Sequence, residues 1–264
     1  MKELSYRVED GWSSLRRFTA ARIALGRAGS SLPTREVLGF RLDHARARDA
    51  VLLELDLDAL GGDLARLGPR ILGLQSRCRS KAEYLQRPDL GRRLSESSRA
   101  ELESFDPGGY RGCDLAIVVA DGLSSVAVER QAASLLSSFL PLCAGLSLGP
   151  LCLARYGRVA LADEVGALLG ARVSLILIGE RPGLSSPDSL GAYLTFAPAV
   201  GTTDERRNCV SNIRPEGLSP RRAAVKLDYL VREAFSRGLS GVELKDEEPA
   251  EIPGASGLEA VLAE

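Results

Sequence analysis

Histidine occurs once, at position 44, and that scarcity removes several chemistries at the outset. A Ser-His-Asp or Cys-His nucleophile would have to use His44, which sits in the arginine-rich stretch DHARARDA with no evident catalytic companions. Zinc and facial-triad iron sites normally take two or more His or Cys ligands at defined spacing, and His44 has none nearby. The five cysteines, Cys78, Cys113, Cys143, Cys152 and Cys209, form an odd, widely spaced set without a CxxC pair, which argues against a disulfide framework and a zinc site alike. No stretch approaches the roughly 18 consecutive apolar residues of a membrane span, and the opening MKELSYRVEDGW has no apolar signal region. The expectation is a cytoplasmic protein with no membrane partner. Neither GxGxxG after a strand nor GxxxxGK[ST] is present, so the usual dinucleotide and P-loop signals are missing too. What remains is a binding fold without a catalytic constellation, suited to positioning a cofactor whose own chemistry is powerful.

A net charge of −1 leaves no global attraction to nucleic acid, yet the charge is uneven. Residues 11–50 carry eight arginines against three acids, and residues 243–264 carry seven acids against one lysine. The plain reading is a solvated basic face and a disordered acidic tail. Trp12, Phe18 and Phe40 show no stacking pattern, so single-strand nucleic-acid binding has little support.

With 264 residues and 45% hydrophobic content, the chain can bury a sizeable core. Residues 1–34 read as irregular and basic, with Thr34 as a helix cap after the Gly, Ser and Pro of GRAGSSLPT. A helix is expected from Arg35 to about Leu55, with Val37, Leu38, Leu42, Ala45, Val51 and Leu52 as an imperfect apolar stripe. A short helix over 58–66, a strand at Ile71–Gln75 and a helix from about Gly91 to Leu102 complete an α-rich N-terminal region, residues 1–99. From Cys113 the pattern changes to apolar runs at Leu115–Ala120, Leu151–Ala154 and Val173–Ile178, separated by helical segments. The first of those helices is capped by Ser124 or Ser125 and buries Val128, Leu135 and Phe139. Tyr193–Ala197 reads as a fourth strand and Pro220–Phe235 as a last helix. Strands too apolar to face water, alternating with helices, predict an α/β, Rossmann-like domain over residues 100–245: a mostly parallel sheet with helices on both faces. Residues 246–264 are expected to be a disordered tail.

The segment Leu177–Asn212 leaves an apolar strand and enters a run of Gly, Pro, Ser and charge that reads as one long loop. Such a loop is uncommon unless it binds something, and ligands of open α/β sheets sit beyond the carboxyl ends of the strands. Asp121-Gly122, at another such strand end, could also bring backbone N–H groups to a ligand.

The stretches ARIALGRAGSSLPT, DHARARDAV, YLQRPDLGRRL, VVADGLSSVAV, RYGRVALADEVGALLGA, LIGERPGLSSPDSLGAYLTFAP and NCVSNIRPEGL, in this order over about residues 15–243, resemble the small subunit of ethanolamine ammonia-lyase. The resemblance implies an adenosylcobalamin-dependent radical lyase, active in a higher hetero-oligomer with a large TIM-barrel subunit that holds ethanolamine and most catalytic groups. No DxHxxG motif is present, so the implied cofactor is base-on and keeps its own dimethylbenzimidazole ligand. The cobalamin contacts it carries over fall on Val159 in RYGRV, Glu180 in IGERPG and Cys209 in RNCVSN. An ionised Glu180 can only accept hydrogen bonds, which suits amide N–H groups or a ribose hydroxyl of the corrinoid. On its residues alone Glu180 is a strand-end carboxylate paired with Arg181, Val159 a core valine and Cys209 an inert packing residue. The basic N-terminal segment becomes an interface with the large subunit or a neighbouring protomer. Relatives associated with bacterial microcompartments carry a longer N-terminal extension that this sequence does not show, which favours the cytoplasm and leaves encapsulation open. The competing readings are a non-catalytic α/β binding or assembly module that has lost the cofactor, and a self-sufficient nucleotide-binding enzyme.

Overall fold

The computed structural model describes residues 7–105 and 110–247. A two-residue antiparallel pair, β1 (Arg7–Val8) and β2 (Arg27–Ala28), precedes helix α1 (Thr34–Leu52). Thr34 is the first helical residue and not its cap; Pro33 holds the cap position without any side-chain bond. Helix α2 (Leu57–Ala65) starts where Asp56 accepts from the Ala59 N–H at 2.9 Å. Then come β3 (Ile71–Gln75), α3 (Lys81–Gln86) and α4 (Glu96–Ser104). The single helix expected over Gly91–Leu102 is therefore divided, because Ser95 accepts from the Ser98 N–H and starts α4 afresh.

The remainder runs β4 (Leu115–Ala120), α5 (Ser125–Phe139), β5 (Leu148–Arg155), α6 (Leu161–Leu169), β6 (Val173–Gly179), β7 (Leu190–Phe196), β8 (Arg207–Ile213) and α7 (Pro220–Arg237). The six-stranded sheet has the order β3-β5-β4-β6-β7-β8; the first four strands are parallel, and β7 and β8 are antiparallel. The expected α/β class, with a mostly parallel sheet, is the observed one. Its first strand, β3, comes from ahead of residue 100, and the helical segment before it is modest.

The long apolar runs follow from burial on both faces. Along β4, Leu115, Ile117 and Val119 point into the core shared with α2, α5 and α7, while Ala116, Val118 and Ala120 point into the core shared with α4 and α6. In β6, Leu175 and Leu177 go one way and Ile176 and Ile178 the other. Helix α5 is capped by Ser124, which accepts from the Ala127 N–H at 3.2 Å, and Val128, Leu135 and Phe139 are buried as expected.

Two expectations are modified. The strand read at Tyr193–Ala197 is β7, longer at its start, and the rest of Leu177–Asn212 is not one loop: β8 occupies Arg207–Ile213, leaving residues 180–189 and 197–206 as the connections. Strand β8 escapes an apolar search because it carries Arg207 and Asn208, and Arg207 is buried only through its pairing with Asp163 of α6 and the Thr202 carbonyl. The α1 stripe does not face the core either. Of that helix only Ala50 is buried, and Leu38, Phe40, Leu42 and Leu52 stand exposed. Among the described residues, no helix is long and apolar enough to cross a membrane. From residue 248 on, the expected acidic tail lies outside the described residues.

Candidate functional site

The parallel strands β4, β5 and β6 end side by side, and the chain leaves them through Asp121-Gly122, Tyr156–Ala160 and Gly179-Glu180. Their convergence depends on glycine. Gly122 has φ +57°, and a Cβ there would lie 2.3 Å from the Gly179 carbonyl oxygen. Tyr156 adopts φ +58°, a left-handed conformation that a bulky residue rarely holds, and so turns Gly157, Arg158 and Val159 back across the strand ends. Its hydroxyl donates to Glu54 at 2.8 Å, and burial raises its pKa.

Between these turns lies a pocket of about 390 Å³, lined by Tyr84, Leu123, Arg158, Val159, Glu180 and Tyr193 among others. Val159 is half-buried on the α6 side of the sheet and presents apolar surface to it. Glu180 is fixed on one side only. Its Oε2 accepts from the Ser189 hydroxyl and from the Asn212 N–H, and its own N–H donates to the Ser189 carbonyl at 3.0 Å. Its Oε1 lies over Gly191, where a Cβ would come within 3.1 Å, and has no protein donor among the described residues. Pairing with Arg181 is thus not what holds this carboxylate. Cys209 is opposite Tyr193 in the β7–β8 ladder, and the two side chains interact. It borders the pocket through that tyrosine rather than lining it. The Cys209 thiol sits above its ordinary pKa, chiefly because its sulfur is desolvated beside Tyr193 although the residue as a whole is exposed. Burial likewise raises Tyr193.

The structure therefore brings Val159 and Glu180 to one pocket, with Cys209 at its edge. Two lining residues, Tyr193 and Arg158, carried no signal of their own in the sequence. Asp121-Gly122 has another role. Asp121 is fully buried; its Oδ1 accepts from Gly122 N at 3.0 Å and Gly157 N at 3.2 Å, so the Gly122 N–H is spent inside the chain. Lys81 lies 3.5 Å from Oδ2 and donates to the Gly122 carbonyl at 3.1 Å. Ser124 caps α5 and donates to the Pro187 carbonyl at 2.7 Å. His44 is exposed on α1, away from the lining of this pocket.

A larger cavity, about 580 Å³, lies between Asp89–Arg93 and residues 200–207. Its charged groups largely answer one another: Arg93 with Glu164, Arg207 with Asp163 and Asp204, and Asp89 with Arg87. The smaller pocket has the better claim, because it occupies the strand-end crevice and keeps unpaired polar atoms.

Comparison with known proteins adds the family. Residues 9–245 match the family model described as ethanolamine ammonia-lyase light chain. The chain is 57% identical over 258 residues to an ethanolamine ammonia-lyase small subunit of Azotobacter vinelandii, covering 97% of this chain and 96% of that one. The protein of the same name from Xanthomonas campestris pv. campestris is 57% identical over 240 residues, 90% of this chain and 88% of its own length. That of Ralstonia nicotianae is 55% identical over 247 residues, 93% and 91%. The chain belongs to the ethanolamine ammonia-lyase light-chain, or small-subunit, family.

Proposed function

We propose that this chain is the small subunit of an adenosylcobalamin-dependent ethanolamine ammonia-lyase and that the strand-end pocket grips the edge of a base-on cofactor. The observation that carries the reading is the free Oε1 of Glu180 on the wall of a pocket shared with Val159 and bordered by Cys209. When bound, adenosylcobalamin supplies an organic radical by homolysis of its cobalt–carbon bond, for conversion of ethanolamine to acetaldehyde and ammonia. This chain's residues hold and screen it. Glu180, as an acceptor, takes an amide N–H of the corrin periphery, Val159 offers apolar surface and main-chain polar atoms, and Cys209 packs beside Tyr193 as a neutral thiol. A volume of 390 Å³ is near the small end for a ligand pocket, so it admits one margin of a corrin and leaves the rest to another surface. The placement of the single imidazole, on α1, supports a cofactor that keeps its own lower base.

The covering surface belongs to a large subunit, and the N-terminal segment is its docking site. Trp12 and Phe18 are about 70% exposed, and Leu32, Leu38, Phe40, Leu42 and Leu52 are also uncovered. So many uncovered apolar side chains in one stretch of chain, interspersed with arginine, support an interface with another protein. Phe18→Asp with Leu38→Asp is expected to weaken co-purification with the large subunit at least about tenfold while leaving the thermal midpoint of the isolated chain unchanged. Undiminished complex formation in size-exclusion chromatography would place the interface elsewhere.

Glu180→Gln keeps the size of the side chain but removes its charge, and should weaken cobalamin binding to the two-subunit complex by about 10- to 100-fold in equilibrium dialysis. Unchanged affinity would remove Glu180 from the site. The decisive experiment is an anaerobic electron paramagnetic resonance spectrum of the complex with adenosylcobalamin and ethanolamine. A coupled cob(II)alamin–organic radical signal is expected. A complex that binds no cobalamin would leave a non-catalytic module.

A further inference from the structure

Arg158 is the residue in the pocket whose charge its own fold does not use. Its N–H donates to the Gly91 carbonyl at 2.8 Å, and its stem passes so close over Gly91 that a Cβ there would lie 2.8 Å from Arg158 Cγ. The guanidinium lies against the Tyr84 ring, 4.2 Å from its centroid, and Nη2 donates to the Tyr84 carbonyl at 3.0 Å. Tyr84 is itself fully buried, with its hydroxyl donating to Gly157 at 3.2 Å, so the arginine is held by a rigid support.

Held in this way, the cation is left unspent. Its Nε is buried with no hydrogen-bond partner, and Nη1 has no protein acceptor among the described residues yet is not shut off from solvent. No carboxylate pairs with it there. Of the acids around it, Glu180 lines the same pocket but is bonded to Ser189 and Asn212, and Asp121 is committed to Lys81 and to two main-chain N–H groups. A permanent, partly desolvated cation with an orphaned donor weakens a fold unless something outside the chain completes it. Planar guanidinium groups favour phosphate and carboxylate oxygens.

On the cobalamin reading above, on which this inference rests, the two polar groups of the pocket divide the ligand between them. Glu180 only accepts, and suits the neutral amides at the corrin edge. Arg158 only donates and carries a charge, and a base-on cobalamin has one anionic group outside the corrin, the phosphodiester of its nucleotide loop. We propose that Arg158 binds that phosphodiester and thereby makes the site select complete, base-on cobalamins over corrinoids that lack the nucleotide.

The test compares cyanocobalamin with cobinamide, which keeps the corrin amides and lacks the nucleotide loop, by absorbance titration of the two-subunit complex. The wild-type complex should prefer cyanocobalamin. Arg158→Gln should lower cyanocobalamin affinity by about 10- to 100-fold and leave cobinamide affinity within about twofold, while Arg158→Lys, which keeps the charge, should restore part of the loss. Retained cobinamide binding also serves as the check that the variant is folded. Equal losses for both ligands, or no loss for either, would overturn the assignment to the phosphodiester and leave the cobalamin reading standing. A wild-type complex that bound neither would overturn both.

Discussion

Gly179→Ala should lose about 3 kcal/mol or more of stability, read as a clear fall in the thermal midpoint by circular dichroism. The cause is main chain against main chain. A Cβ at this position would lie 2.0 Å from the Ser124 carbonyl oxygen and 2.6 Å from that of Asp121, neither of which can swing aside as a side chain would. The Leu123 N–H donates to the Gly179 carbonyl at 2.9 Å, so the turn after β4 is tied to the end of β6 at the point where the methyl group would have to enter. Relief by separating the two strand ends would displace Glu180, the next residue, and open the pocket. Gly62 supplies the contrast. It is exposed within α2, with nothing within 4 Å of its would-be Cβ, and alanine there should be neutral or stabilising by up to about 1 kcal/mol. Equal midpoints for the two variants would show that the strand ends are not held as closely as their geometry indicates.

The runs that became β4 and β6 were legible because burial on both faces demands apolar residues at every position, and a serine cap was legible before the apolar-periodic segment, although the choice between Ser124 and Ser125 was made only by the structure. Glu180 was named through the family resemblance; its place after an apolar run fitted that role but did not by itself assign it. Strand β8 was not legible, since an outer strand with one half-covered face needs only Val210 and Ile213 inside, and its remaining residues look like loop. Arg207 adds to the disguise: a buried arginine is tolerated there because Asp163, distant in sequence, meets it together with the nearby Asp204 and Thr202 carbonyl. The α1 stripe was legible as apolar but not as outward-facing, because periodicity reports a face and not what covers it. Arg158 and Tyr193 became site residues through contacts with Tyr84, Gly91 and Cys209, and no local pattern encodes those.

Lys81→Met should be the more damaging change to the floor of the site, at roughly 3–5 kcal/mol. Lys81 and Asp121 are both buried, and the structure puts one lysine beside one carboxylate that has a single other type of partner, the N–H groups of Gly122 and Gly157. Methionine fills much of the same volume, so the loss is electrostatic: a carboxylate is left in an apolar setting without its cation. Burial already raises the Asp121 pKa, with Lys81 opposing the shift, and removing Lys81 raises it further. The native state of the variant then binds the Asp121 proton more tightly than the unfolded chain does. Stability is therefore retained below the unfolded carboxylate value, about 4, and is lost as pH rises through the folded one. The deficit of Lys81→Met against wild type should accordingly be smaller near pH 5 than near pH 8, in urea titrations at the two values. Adding Asp121→Asn should recover most of the loss at pH 8, because the amide oxygen can still accept from Gly122 and Gly157 while the charge is gone. If the double variant were as unstable as the single one, or if the single variant's deficit did not depend on pH, the lysine would be acting through packing alone. A recovered double variant would further separate support from binding: with the floor rebuilt as a neutral pair, Arg158 and Glu180 should keep their places and the pocket its affinity for cobalamin.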